Sequence, residues 1–380
     1  MFAERLSFGV FMPPYHPVGQ NPTLALEQDL DRIVQLDRLG FDEAWVGEHH
    51  SGGYEIISSP EIFVMAAAER TRHIKLGLGV VTLPYHHPFM VAERITMLDH
   101  LTRGRVLVGV GAGSSGTDMH ILGVHAADTR RRTEEALGVI LSLLRSPEPL
   151  TVETDWFTLR DARLQLRPYS DVQITCTGNI TPSGPKMAGK NGLGLISLGG
   201  LIVDPKKQTG RASLSEAWGF VEETAKDSGA KVDRANWRVV LPAHIAESRR
   251  EAERDVAFGL PDFCRYNGAA LSADKGKTAE ENVAFYRSGN MAVFGTPDDL
   301  IERIEELQAI SGGFGGVLLL GHDWADREAT FRSNELIARY VIPHFQGQLS
   351  WPRGSHDWQG ATRSEWRTNM TAASEAASKA

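Results

Sequence analysis

The chain has 380 residues, 42% of them apolar and 23% charged, a composition that excludes a mostly disordered polymer. Lys and Arg total 40 against 48 Asp and Glu, and a formal charge of -8 argues against a nucleic-acid binder. With only Cys176 and Cys264, no apolar run long enough to span a membrane and no apolar core in the first residues, we expect neither a disulfide framework nor a membrane partner, and a cytoplasmic location.

Short apolar runs alternate with amphipathic stretches along the chain. The first run is Leu6–Met12. Thr23–Leu39 follows, with Leu26, Leu30, Ile33 and Leu36 at helical spacing and Gly40 as its stop. Ala44–Val46 is a very short second strand, and Pro60 opens the next helix. Ile74–Val81 reads as the third strand, with a helix from Pro88, and Arg105–Val110 as the fourth. A polar loop over 117–128 precedes the helix Thr129–Leu144. Residues 150–168 alternate like an excursion hairpin. Val172–Cys176, Leu193–Leu198, Trp237–Ala243 and Gly316–Leu320 complete eight strands, each followed by a helical pattern. Residues 261–290 look like an irregular, polar insertion.

Eight such units predict an α/β fold, a (β/α)8 TIM barrel over residues 1–345, with 346–380 as a C-terminal extension. That extension reads as a loosely ordered tail, although Trp351, Trp358 and Trp366 imply that part of it packs on something.

In a barrel the chemistry gathers where the strands end. Glu48-His49-His50 follows the second strand, and His86 and His87 follow the third. His49 is expected to face the axis and His50 to point elsewhere, since adjacent extended residues face opposite ways. Adjacent histidines cannot both chelate from one strand, so no metal is expected. Gly111-Ala112-Gly113-Ser114-Ser115-Gly116 spells GxGxxG, but it follows the fourth strand and is not followed at once by a helix. It reads as a rim loop that lets a flat ring or a phosphate approach the backbone. Thr181-Pro182-Ser183-Gly184 precedes a helix; its hydroxyls either cap that helix or belong to an anion site. Arg130, Arg131 and Arg132 start a helix against its dipole, so they either pair with Glu134 and Glu135 or reach an anion.

The run from Gly40 to His50, the run Leu76–Pro84 with His87-Pro88 and Ala92-Glu93, and Leu98-Asp99 with Gly104-Arg105 resemble the bacterial luciferase-like family of flavin-dependent monooxygenases. The resemblance covers about residues 6–345. Within it, Tyr15-His16-Pro17, Glu48–Glu55 and Asp155–Asp161 are most similar to members of the limonene 1,2-monooxygenase type.

The resemblance implies catalysis by His49 beside the reactive edge of the flavin, with Gly79-Val80 as a strained, often cis, peptide behind it. Gly111, Thr181, Ser183 and Gly184 would bind the cofactor. The family's phosphate-clamping arginine is replaced by Ala112, and Arg130 or Arg131 would stand in. It further implies reduced flavin, FMN ahead of FAD, which with O2 gives a C4a-hydroperoxide that oxygenates a small apolar substrate. Phe11, Tyr15, Tyr54, Phe89 and Trp324 are the expected pocket. NADH would act only through a separate flavin reductase, and the chain would be a homodimer. A deazaflavin (F420)-dependent dehydrogenase, a metallohydrolase and a non-catalytic flavin-binding protein are the alternatives.

Overall fold

A computed structural model describes residues 5–13, 15–178, 181–198, 214–271, 278–288 and 292–379. Its strands are β1 (Ser7–Met12), β2 (Glu43–Val46), β3 (Lys75–Thr82), β4 (Val106–Gly111), β5 (Leu150–Glu153), β6 (Thr158–Ala162), β7 (Gln173–Thr177), β8 (Gly194–Leu198), β9 (Trp237–Ile245), β10 (Val293–Gly295) and β11 (Gly316–Leu320). Eight of them pair in parallel in the order β1-β2-β3-β4-β7-β8-β9-β11, and β11 returns to β1 with Gly9 opposite Leu318. The sheet is therefore the closed barrel that the alternation predicts. β5 and β6 form the expected antiparallel hairpin. β10, absent from the sequence reading, adds to the end of β9 with Val293 opposite Ala243; three residues are too few to show a period.

Alternate strand residues face opposite ways. Phe8, Val10, Val46, Leu76, Val108, Ile174 and Leu195 point outward into the core shared with the surrounding helices. Trp45, Leu107, Ile196, Val240 and Leu318 fill the barrel itself, with Phe11, Leu198 and Leu320 above them. The indole of Trp45 occupies space that no neighbour with a Cβ would leave: a Cβ on Gly77 would lie 2.2 Å from it. Beneath it, Trp45 Nε1 donates to Glu43 Oε2 at 2.7 Å, and Arg238 grips both oxygens of Glu43 at 2.6 and 2.7 Å. The guanidinium also lies 5.4 Å from the Trp45 ring and donates to Gln173.

The seam between β1 and β11 carries a second buried network. His16 meets Asp323 at 2.8 Å and Asp29 at 3.0 Å, while Arg32 donates to His322 Nδ1 at 3.2 Å. Burial opposes a charge on His16, but the bonds to Asp29 and Asp323 outweigh it and push its pKa up to about 10.

Three sequence expectations change. The insertion is helical in its described part, Leu260–Leu271 and Ala279–Ser288, and residues 272–277 and 289–290 lie outside the described residues. Its apolar residues Phe263, Val283 and Tyr286 are buried against Tyr15 and Trp324, a tertiary contact that its polar composition conceals. The loop over 117–128 contains a short helix, Gly116–Ile121, because Ser115 accepts from the Asp118 amide. The C-terminal extension is two helices, Ser350–Ala361 and Arg363–Ala377; alanine propensity favours the second, while the first forms despite Gly354 and Gly360.

Two stability measurements test this core. Arg238→Met strands the Glu43 carboxylate and is expected to cost about 3–5 kcal/mol in urea unfolding, most of which Glu43→Leu in the same chain restores. His16 has a raised folded pKa, so its contribution is complete below about pH 6.5 and is lost as pH rises toward 10. His16→Gln should flatten the fall in unfolding free energy over that interval.

Candidate active site

The segments after β2 and β4 converge on His49. Its Nε2 lies 2.9 Å from Glu55 Oε2 and its Nδ1 lies 3.1 Å from Asp118 Oδ2. Both carboxylates are buried, their side chains 6% and 2% exposed. Asp118 also accepts from Ser51 and from the His50 amide. Glu55 accepts from Tyr266 at 2.6 Å. Burial opposes protonation of His49, yet Glu55 and Asp118 outweigh it and lift its pKa above the ordinary 6.5. A carboxylate at each nitrogen favours the protonated, imidazolium form of this ring.

His50 turns the other way, as alternation predicts. Its Nε2 meets Glu48 Oε1 at 2.9 Å, and His86 meets the same oxygen at 2.6 Å. Glu48 Oε2 accepts the Thr82 amide at 2.8 Å. Burial pushes the Glu48 pKa up, but His86, Thr82 and His50 together hold it below the usual carboxylate range. Glu48, His50 and His86 thus bring three ligand-type atoms within 4.8 Å of one another, as do His16, Asp29 and His322. The sequence argument against a metal considered pairs on one strand; the fold instead recruits one histidine from each of two loops. In the second group the buried Arg32 already stands against His322 Nδ1 and supplies the positive charge. In the first, the two imidazoles already satisfy the carboxylate.

Below His49 lies a floor with few side chains. The Gly79–Val80 peptide is cis, at the position that the sequence singles out. A Cβ on Gly111 would lie 3.0 Å from Val80 and from Thr177, and one on Gly113 would lie 2.7 Å from the Tyr85 hydroxyl. Gly111 at the end of β4 and Gly113 just beyond it therefore leave room for Val80 and Tyr85. The Tyr85 hydroxyl is buried without a partner, and burial beside Asp118 and Glu48 pushes its pKa up to about 12. The Cβ space at Gly111 and Gly113 is taken by Val80, Thr177 and Tyr85, and the orphaned Tyr85 hydroxyl is the polar group here that a flat, polar-edged ring could meet.

Across the mouth, helix Ser183–Asn191 begins at Pro182 without a side-chain cap. Thr181 and Ser183 bond to each other at 2.7 Å, so neither hydroxyl caps the helix. Its first amides remain available to an anion. A Cβ on Gly184 would lie 2.0 Å from the Thr177 carbonyl, so this glycine seats the helix against β7. Arg131 is committed to Asp155 at 2.7 and 2.8 Å and to Glu135, and the Arg132 guanidinium lies 5.2 Å from the Trp156 ring. Arg130 on the same turn is exposed.

The five expected pocket residues do not share one wall. Tyr15 and Tyr54 stack at 5.6 Å, and Tyr266 lies 5.0 Å from Tyr54, directly beside Glu55 and His49. Phe11 touches the floor, within 3.2 Å of where a Gly79 Cβ would stand. Trp324 is wholly buried behind Phe263, a packing role its loop position conceals. Phe89 packs on the outer core between barrel and helices, because the first turn of its helix faces away from the mouth. Glu55, Asp118, Tyr85 and Tyr266 were missed. Glu55 and Asp118 stand in segments the sequence marks, but nothing local shows two carboxylates meeting one ring.

This clamp has a direct spectroscopic test. NMR of the His49 ring should show the imidazolium at pH values where a free histidine has lost its proton, and Glu55→Gln and Asp118→Asn should each lower that titration.

The luciferase-like monooxygenase family profile matches residues 6–312 of the chain. The 4-hydroxyprotoasukamycin monooxygenase of Streptomyces nodosus subsp. asukaensis is 46% identical over 360 residues, 93% of this chain and 96% of that protein. The limonene 1,2-monooxygenase of Rhodococcus erythropolis is 44% identical over 379 residues, 98% of this chain and 95% of that one. The oxygenating constituent of 3,6-diketocamphane monooxygenase from Pseudomonas putida, solved with FMN, shares the fold with a TM-score of 0.74 at 23% identity. That alignment covers 89% of this chain and 98% of the other. A near-complete sequence match, a closed parallel barrel and a histidine-bearing mouth lead to one conclusion: this chain is an enzyme of the luciferase-like monooxygenase family.

Proposed function

We propose that the chain is the oxygenating component of a two-component system that uses reduced flavin and O2 to epoxidise a small apolar alkene of the limonene class. The observation that carries the reading is the glycine-backed floor at Gly79–Val80, Gly111 and Gly113 facing an imidazolium at His49. Identity to a limonene 1,2-monooxygenase over almost the whole chain supports the substrate class. FMN is favoured over FAD, as the diketocamphane enzyme was solved with FMN. The separate NADH-dependent reductase, the cytoplasmic setting and the homodimer belong to the same reading.

Reduced flavin, when bound, supplies the activation of O2. Gly79, Val80, Gly111 and Gly113 would hold its ring, and the free amides at Ser183 and Gly184, with Arg130, its phosphate. His49, held toward its protonated form between Glu55 and Asp118, would present positive charge beside the ring edge. The Tyr15, Tyr54 and Tyr266 rings supply an apolar wall that excludes water from the reacting face.

The test supplies the purified chain with chemically reduced FMN, air and limonene, and assays epoxide by gas chromatography. Epoxide is expected without any reductase, together with no NADH oxidation by the chain alone. His49→Ala should keep the fold and lower epoxide yield by about 10²–10⁴-fold. Reoxidation to free peroxide with every alkene offered would overturn the substrate class; hydride transfer with reduced deazaflavin would replace the reaction.

A further inference from the structure

Beside the seam of β1 and β11, a cleft of about 370 Å³ opens between helices Pro22–Leu39 and Arg327–Leu336. It shares no residue with the His49 clamp or the glycine floor. Cavities of this size take small molecules. One of its walls is Arg32, only 8% exposed. Among the described residues that guanidinium makes one hydrogen bond, from Nη1 to His322 Nδ1 at 3.2 Å, and its Nε is buried without a partner. It forms no ion pair there: Asp29, on the same helix, is committed to His16 at 3.0 Å and His322 at 3.2 Å. Burial pushes the Arg32 pKa down, and Asp29 and Asp323 oppose this only through space. A buried guanidinium is ordinarily met by a carboxylate.

The outer rim has the opposite sign. Asp323 engages one carboxylate oxygen with His16 at 2.8 Å and keeps 29% of its side chain exposed. Asp326 is exposed and caps its helix with one oxygen, which accepts the Ala329 amide at 2.9 Å. Arg327, the other arginine of the cleft, is paired with Asp31 at 3.2 Å and lies over the Phe331 ring. Apolar surface completes the walls: Leu24 and Phe258 are 57% and 64% exposed, and Phe331 is half-buried.

We propose that this cleft is a second small-molecule site and that it takes a zwitterionic amino acid with an apolar side chain. The carboxylate meets Arg32, the ammonium meets Asp323 and Asp326, and the side chain lies among Leu24, Phe258 and Phe331. A simple carboxylate answers Arg32 but faces the two acids. A simple amine answers the acids but leaves Arg32 unmet. A head that carries both charges side by side satisfies wall and rim together. The inference is independent of the flavin reaction, since none of these residues serves it.

The test titrates the full chain, without flavin, by calorimetry and saturation-transfer NMR. The probes are leucine, 4-methylpentanoate and 3-methylbutylamine, which share one side chain and differ in the head. Leucine is expected to bind at one site, at least about 10-fold tighter than either of the others, and to raise the melting temperature. Asp326→Asn keeps the helix cap and should weaken leucine about 5–10-fold without weakening 4-methylpentanoate. Gln28→Glu, at an exposed position of the cleft one turn before Arg32, gives the guanidinium a carboxylate of its own and should weaken leucine by a similar factor. Failure of leucine to bind saturably overturns the site. Equal binding of leucine and 4-methylpentanoate overturns the amino-acid head. Leucine binding indifferent to both substitutions overturns the cleft as its location.

Discussion

Trp45 stands inside the barrel, and the depth of the mouth is measured from it. Gly77 is glycine because the indole occupies the place of its Cβ, and Gly109 approaches the same ring, with a Cβ position 3.3 Å away. Under the indole, Glu43 and Arg238 form a fully buried ion pair joining β2 to β9 across the barrel, 195 residues apart in sequence. Such a pair persists only when its remaining donors and acceptors are met, and Trp45 Nε1 and Gln173 meet them. With the lower barrel filled in this way, the layer above can be left to glycine. The flat floor at Gly79, Gly109 and Gly111 is the upper surface of that plug.

Around the floor, charge is arranged in short closed sets rather than spread over the rim. Glu48 serves two imidazoles, and two carboxylates serve His49. Each set satisfies itself with side chains from different strand ends, so the loops after β2, β3 and β4 are held in register by the same contacts that fix protonation. Stability and chemistry share residues here, a common state of affairs at the carboxyl end of a barrel.

The barrel could be read from the sequence because each strand is a compact apolar run and each helix has a period and a stop, as at Gly40. The place of His49 at a strand end and the Gly79–Val80 peptide were also legible, whereas the residue types at Thr181 and Ser183 suited a cap as well as an anion site, and the helix is uncapped. What escaped depends on distance in the chain. Tyr266 and Glu55 are 211 residues apart, and Asp118 and His49 are 69. The insertion looked irregular because its apolar residues meet Tyr15 and Trp324, which only the folded chain brings near. Phe89 misled for the opposite reason: its loop neighbours face the mouth, while its own helix turns it outward.

Tyr266 belongs to helix Leu260–Leu271, in the insertion, yet it donates to the carboxylate oxygen that holds His49. Withdrawing that hydroxyl would leave Glu55 Oε2 to His49 alone and so change how firmly that oxygen holds the imidazole. Position of the insertion and proton occupancy of the mouth are thus linked variables, each able to drive the other by the same free energy. A molecule that displaces this helix on entering would change the acidity of the site before it touches His49.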